Sequence, residues 1–137
     1  NYDLETSHVL PALLRKFHEA KVSSAKEVVL WGSGSPLREF LHCDDLADAL
    51  VFLLKNYSEF EHINVGSSSE VTIKQLAETI AKVVGYEAEL VFDSSKPDGT
   101  PRKLMNSSRL HELGWNNVRS LEDGIASTYE HWLASQA

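Results

Sequence analysis

The sequence contains a single cysteine, Cys43, which excludes an internal disulfide and any zinc site built from several thiolates. That usage suits a reducing cytoplasm, the compartment we expect. No apolar run approaches the roughly twenty residues that a membrane-spanning helix requires. The opening Asn1-Tyr2-Asp3-Leu4-Glu5 has neither the basic nor the apolar segment of an export signal. A soluble, unexported protein with no membrane partner is expected. Positive charge is scarce: 13 Lys and Arg face 20 Asp and Glu, for a net charge of −7. Wholesale attraction to nucleic acid is thereby opposed, while a local basic pocket for one small anion stays open. An initiating methionine is lacking too, and the first residues are loop-like, which reads as a piece excised from a longer product.

What is present suffices for one compact domain over residues 1–137. Apolar residues make up 42% and charged residues 24%, which allows a buried core and gives no sign of disorder. Val9, Leu10, Leu13, Leu14 and Phe17 recur at helical spacing and predict a helix over residues 8–20, with Pro11 tolerated in its first turn. Residues 28–31 and 38–42 are strand-like and flank the turn-rich Gly32-Ser33-Gly34-Ser35-Pro36, the pattern of a hairpin. Asp44 offers a cap for a helix carrying Leu46, Ala47, Leu50, Leu53 and Leu54. Residues 62–66 read as a short buried strand. Thr72 and Gln75 form a capping box for a helix whose apolar face runs from Ile73 to Val84 and ends at Gly85. Residues 89–92 alternate as a strand, 93–103 form a polar loop, and 107–113 a short helix stopped by Gly114. A last helix starts at the cap Ser120 and carries Leu121, Ile125, Tyr129, Trp132 and Leu133 at core spacing. This order predicts an α/β fold with a small mixed sheet, parallel where helices intervene and antiparallel at the hairpin.

Few residues stand out chemically. Gly32-Ser33-Gly34 follows a strand, but the full G-x-G-x-x-G is absent and Pro36 leads into extended text, so a dinucleotide loop is excluded. Trp31 and Arg38 bracket that turn, where an aromatic face and a forked cation can hold a base and a diphosphate; an exposed pair without a ligand has the same signature. The loop Lys96-Pro97-Asp98-Gly99-Thr100-Pro101-Arg102-Lys103 is stiffened by its prolines. Its cations can meet phosphate and Asp98 can accept from sugar hydroxyls, although a solvated charged turn shares that composition. His8, at a helix start beside Ser7, can exchange protons as a neutral imidazole, or simply cap or pack. His42-Cys43-Asp44-Asp45 is discounted as a metal site because adjacent positions at a strand-to-helix junction are not expected to converge. Asp44 reads there as a cap and Cys43 as a small buried residue.

Taken in order, Ser7-His8-Val9-Leu10-Pro11-Ala12-Leu13-Leu14-Arg15-Lys16-Phe17, Trp31-Gly32-Ser33-Gly34, Arg38-Glu39-Phe40-Leu41-His42, His62-Ile63-Asn64-Val65-Gly66 and the loop from Lys96 through Leu104 make the chain resemble the GDP-L-fucose synthase family of extended short-chain dehydrogenases. The Arg-Glu-Phe-Leu-His and Asp-Asp segments are shared across nucleotide-sugar enzymes of that superfamily; the first helix and the cationic loop are more discriminating. Departures are Asn106 in place of an aspartate, Cys43 in place of an aliphatic residue, and a short stretch over 57–61. The resemblance implies the C-terminal substrate-binding part of such an enzyme, with the Rossmann core missing. It implies conversion of GDP-4-keto-6-deoxy-D-mannose to GDP-L-fucose, by epimerisation beside the ketone followed by reduction with NADPH. On that basis His8 is one of the acid–base pair and a contact to NADP, and Lys16, Trp31, Arg38, Asp98 and Lys103 grip the GDP-sugar. The partner cysteine, the NADP-binding glycine loop and a tyrosine–lysine pair then belong to an N-terminal Rossmann domain, against which residues from about 44 to 66 fold. This chain alone is expected to be inactive, and the full-length enzyme a homodimer. The alternatives are another nucleotide-sugar epimerase or reductase of the same superfamily, and a non-catalytic nucleotide-sugar binding module.

Overall fold

Leu13, Leu14, Phe17 and Ala20 fall on one face of the first helix, α1 (Val9–Ser23), and the main core is assembled on that stripe. In the computed structural model, which describes residues 1–116 and 118–136, the elements that follow are β1 (Glu27–Trp31), β2 (Leu37–Glu39), α2 (Cys43–Asn56), β3 (Glu70–Thr72), α3 (Ile73–Val84), β4 (Glu89–Asp93), β5 (Arg102–Lys103), α4 (Ser108–Glu112) and α5 (Leu121–Ala134). The capping box forms as expected, with Thr72 and Gln75 each accepting from the other's backbone N–H, and Gly85 ends α3 in the left-handed conformation. Leu76, Ala77 and Ile80 of α3 are fully buried and join Leu14, Phe17 and Ile125 in one cluster. Val28 and Leu30 bury the inner face of β1 against it.

The expected hairpin does not form. β1 pairs in parallel with β4, from Glu27 opposite Glu89 to Trp31 opposite Asp93. β2 lies in a second, three-stranded sheet between β3, which runs antiparallel to it, and β5, which runs parallel. The mixed parallel and antiparallel pairing is therefore present, divided between two sheets. The glycine turn explains the change. Gly32 and Gly34 both have positive φ, 78° and 75°; the Gly32 N–H extends the first ladder by donating to Asp93 O at 2.9 Å, while Gly34 O accepts from Lys74 N at 2.9 Å. The turn thus passes the chain from one sheet to the next instead of reversing it, and the Phe92 ring fills the space beside Gly34 that a side chain would need.

Two further expectations are corrected. Residues 62–66 form no strand: Ile63 and Val65 pack inward on a smaller core of Ala49, Leu110 and Trp115, so burial alternates without a ladder among the described residues. The cap of α2 is His42, whose Nδ1 accepts from Asp44 N at 3.2 Å, with Asp44 and Asp45 in the first turn. Asp45 is buried and accepts from Arg119 N at 3.0 Å and Arg119 Nε at 2.8 Å, tying α2 to the approach of α5. Asn106, one residue before the N-cap Ser107 of α4, accepts on Oδ1 from Ser108 N at 3.0 Å.

Candidate functional site

The start of α1, the end of β1, β2 and the loop after β4 meet around a cleft of about 230 Å³ whose walls include Lys16, Trp31, Arg38 and Asp98. Lys16 reaches it from α1: its Nζ donates to Val29 O at 2.9 Å and lies 5.6 Å from the centre of the Trp31 ring. Burial pushes its pKa below the ordinary lysine range, because desolvation disfavours the charged amine. Trp31 is 51% exposed at the end of β1, and the Lys96 ammonium stands 5.1 Å from its ring centre, a cation–π distance. Arg38 occupies the central strand of its sheet and donates from Nη1 to Leu37 O at 2.7 Å.

Asp98 has a local duty before any ligand. Its two carboxylate oxygens accept from Ser33 N at 2.6 Å and Ser33 Oγ at 2.8 Å, and Oδ1 fills the space where a Cβ on Gly32 would sit. The glycine turn is therefore filled by the protein's own carboxylate, which supports its exclusion as a phosphate cradle. The far end of the loop is fixed by Arg102, whose Nε donates to both Glu70 oxygens at 3.0 and 2.8 Å.

Of the six residues singled out by sequence, four meet in the cleft and two do not line it. His8 is the N-cap residue of α1, but its side chain makes no capping bond; the imidazole is exposed and hydrogen-bonds to no described residue. Its neighbours Ser7 and Val9 do line the cleft. Lys103 is exposed and sits opposite Arg38 on the β2–β5 ladder. Sequence reasoning named Lys96 only among the cations of its loop and assigned no contact to Glu5, which lines the cleft. The prominence of the cationic loop was a signal for the first; nothing local marks the second.

A separate cavity of about 250 Å³ lies between α5 and the start of α2, walled by Leu10, Phe40, Leu41, Leu121 and Ile125. Its one cation, Arg119, is already held by Asp45, so it offers little to an anion. Cys43 at its rim is exposed, contrary to expectation. His42, Cys43 and Asp44 do converge, with ligand atoms within 4.8 Å of one another, which corrects the view that they could not. Their closeness follows from the cap, since the His42 Nδ1 lone pair already accepts the Asp44 N–H.

Residues 1–66 match the NAD dependent epimerase/dehydratase family. The chain is similar to GDP-L-fucose synthases. It is 65% identical over 133 residues to "Putative GDP-L-fucose synthase 2" of Arabidopsis thaliana, covering 97% of this chain and 40% of that protein. It is 53% identical to "GDP-L-fucose synthase" of Escherichia coli strain K12, covering 99% of this chain and 45% of the other. The crystal structure of a GDP-L-fucose synthetase from Naegleria fowleri bound to NADP matches with a TM-score of 0.92 at 32% identity, over 99% of this chain and 43% of that one. The chain thus spans less than half the length of these relatives, corresponding to their C-terminal portion.

Proposed function

We infer that the chain is the nucleotide-sugar-binding part of a GDP-L-fucose synthase, and that in the intact protein its cleft holds GDP-4-keto-6-deoxy-D-mannose. The observation that carries this reading is the convergence of Lys16, Trp31, Arg38 and Asp98, from four separate segments, on one cleft. The Arg38 fork suits a diphosphate, and Lys16 and Lys96 add point charges. Trp31 offers an aromatic face to the nucleoside, and the remaining lone pairs of Asp98 can accept from hydroxyls. Lys103 extends the cationic side beyond Arg38. A diphosphate would favour the charged Lys16 that burial disfavours.

In this reading a ketone acidifies the protons on the carbons that flank it, and an acid and a base acting there invert those centres. His8 is one of the pair, its imidazole without a hydrogen-bond partner among the described residues and set between two residues that line the cleft. The reaction also uses NADP. The described residues do not fit a dinucleotide, because the glycine turn is filled by Asp98; the cofactor, apart from a contact with His8, is assigned to an N-terminal Rossmann domain. No hydride step is derived from this chain.

That domain is also the partner we assign to α2. Only Asp45 and Ala49 of this helix are buried, while Leu50, Val51 and Leu54 on it and Phe60 beyond it are exposed, which is the apolar face that residues from about 44 to 66 would turn toward a neighbour. No helix among the described residues is long and apolar enough to cross a membrane. The reading is of a cytoplasmic enzyme, homodimeric when intact.

The test supplies the intact protein with the keto-sugar nucleotide and NADPH. Formation of GDP-L-fucose is expected, with solvent hydrogen entering beside the ketone. His8→Ala should block that exchange while sparing reduction of an already epimerised intermediate. Preferential binding of UDP or dTDP would point to another enzyme of the superfamily, and binding without turnover to a non-catalytic module.

A further inference from the structure

The cleft carries one charge that a grip on diphosphate does not explain. Glu5 lines it among cations suited to phosphate, yet its carboxylate makes no ion pair or hydrogen bond with any described residue. The other cleft carboxylate, Asp98, is occupied by Ser33. Glu5 is not carried on a loose segment either. The Asp3 carboxylate accepts from Glu5 N at 3.0 Å, Thr6 N at 2.8 Å and Thr6 Oγ1 at 2.8 Å, which fixes the turn just ahead of α1 through backbone bonds and leaves the Glu5 side chain free.

A free carboxylate beside an anion site is repulsive unless the ligand brings donors to it. It presents two acceptors side by side and no donor, so its complement is an edge with two adjacent N–H groups. Guanine has such an edge, N1–H beside the N2 amino group. Uracil and thymine flank their single N–H with carbonyl oxygens that a carboxylate repels, and adenine and cytosine pair their amino group with a bare ring nitrogen.

The geometry points to Glu5 as the residue that reads the guanine edge and so sets the preference of this cleft for GDP-sugars. This deepens the proposed function and rests on the cleft being a nucleotide-sugar site.

The test is calorimetric titration of GDP, IDP and UDP into the intact wild-type protein and its Glu5→Ala and Glu5→Gln variants. IDP lacks the N2 amino group. Because the side chain makes no hydrogen bond or ion pair with a described residue, both variants are expected to keep the wild-type melting temperature. Glu5→Ala should weaken GDP binding by about tenfold or more, reduce IDP binding less, and leave UDP binding no weaker than in the wild type, so that the preference for GDP collapses. Glu5→Gln, which exchanges one acceptor for a donor, should lose the same preference. Variants that retain the wild-type GDP-to-IDP and GDP-to-UDP ratios would overturn this inference and leave the nucleotide-sugar reading standing. A wild-type protein that binds none of the three diphosphates would overturn the underlying reading itself.

Discussion

At Gly32 two constraints coincide. Its φ of 78° is a conformation that a side chain resists, and the Asp98 carboxylate occupies the space a Cβ would need. Gly32→Ala should therefore cost more than the left-handed penalty of about 1–2 kcal/mol, because Asp98 must also release Ser33. Urea denaturation reads the loss, and GDP affinity should fall with it. At Asp3 the Thr6 hydroxyl, with the Thr6 and Glu5 N–H groups, holds the carboxyl below its ordinary range. Since the folded pKa is the lower one, this stabilisation is complete above the unfolded value of about 3.9 and is lost as pH falls through the folded value. Carboxyl-carbon NMR should place the Asp3 midpoint below that value, and Thr6→Ala should move it back up; a midpoint already at the ordinary value would remove the turn's anchor. Residue types and neighbours indicated Trp31, Arg38 and Asp98 from sequence, and the family resemblance added Lys16. The Ser33 anchor of Asp98 and the ammonium of Lys96 over Trp31 depend on how a loop folds back across some sixty positions, and no local pattern encodes that.

The helices were legible wherever cap and period lie within a few residues. The capping box of α3 is written in four consecutive positions, Thr72 to Gln75, and Thr72→Ala should cost about 1 kcal/mol. Leu76→Ala, in the fully buried stripe, should cost about 2–5 kcal/mol; both are measurable by chemical denaturation with an unchanged slope. Strand pairing was less legible. β2 and β3 have three residues each, too few to declare a partner, and the parallel pairing of β1 with β4 is decided by where α1 and α3 pack. Residues 62–66 carry the period of a strand because one side of them packs on Trp115 and Leu110, and a ladder is not needed to produce that pattern. The cap of α2 was displaced by two positions because His42 and Asp44 both bring an acceptor to the same helix start.

Across the whole molecule, the chain covers the core around α1, α3 and α5 and leaves α2 exposed. Leu54 is 85% exposed and Phe60 fully so, beside Leu50 and Val51, and such a surface favours association. Sedimentation of the isolated chain should show concentration-dependent self-association that Leu50→Asp with Leu54→Asp abolishes; a wild-type monomer at every concentration would remove this face from the set of docking surfaces. The cleft is formed where segments from the start of α1 to the loop after β4 bring their charges together around Trp31. That grouping is tested most directly by titrating GDP into the intact protein and its Arg38→Ala variant under identical salt. Loss of the guanidinium should weaken binding by about tenfold to a hundredfold, as expected for charge-assisted hydrogen bonds, while an affinity equal to that of the wild type would contradict the assignment of this cleft to a diphosphate-linked sugar.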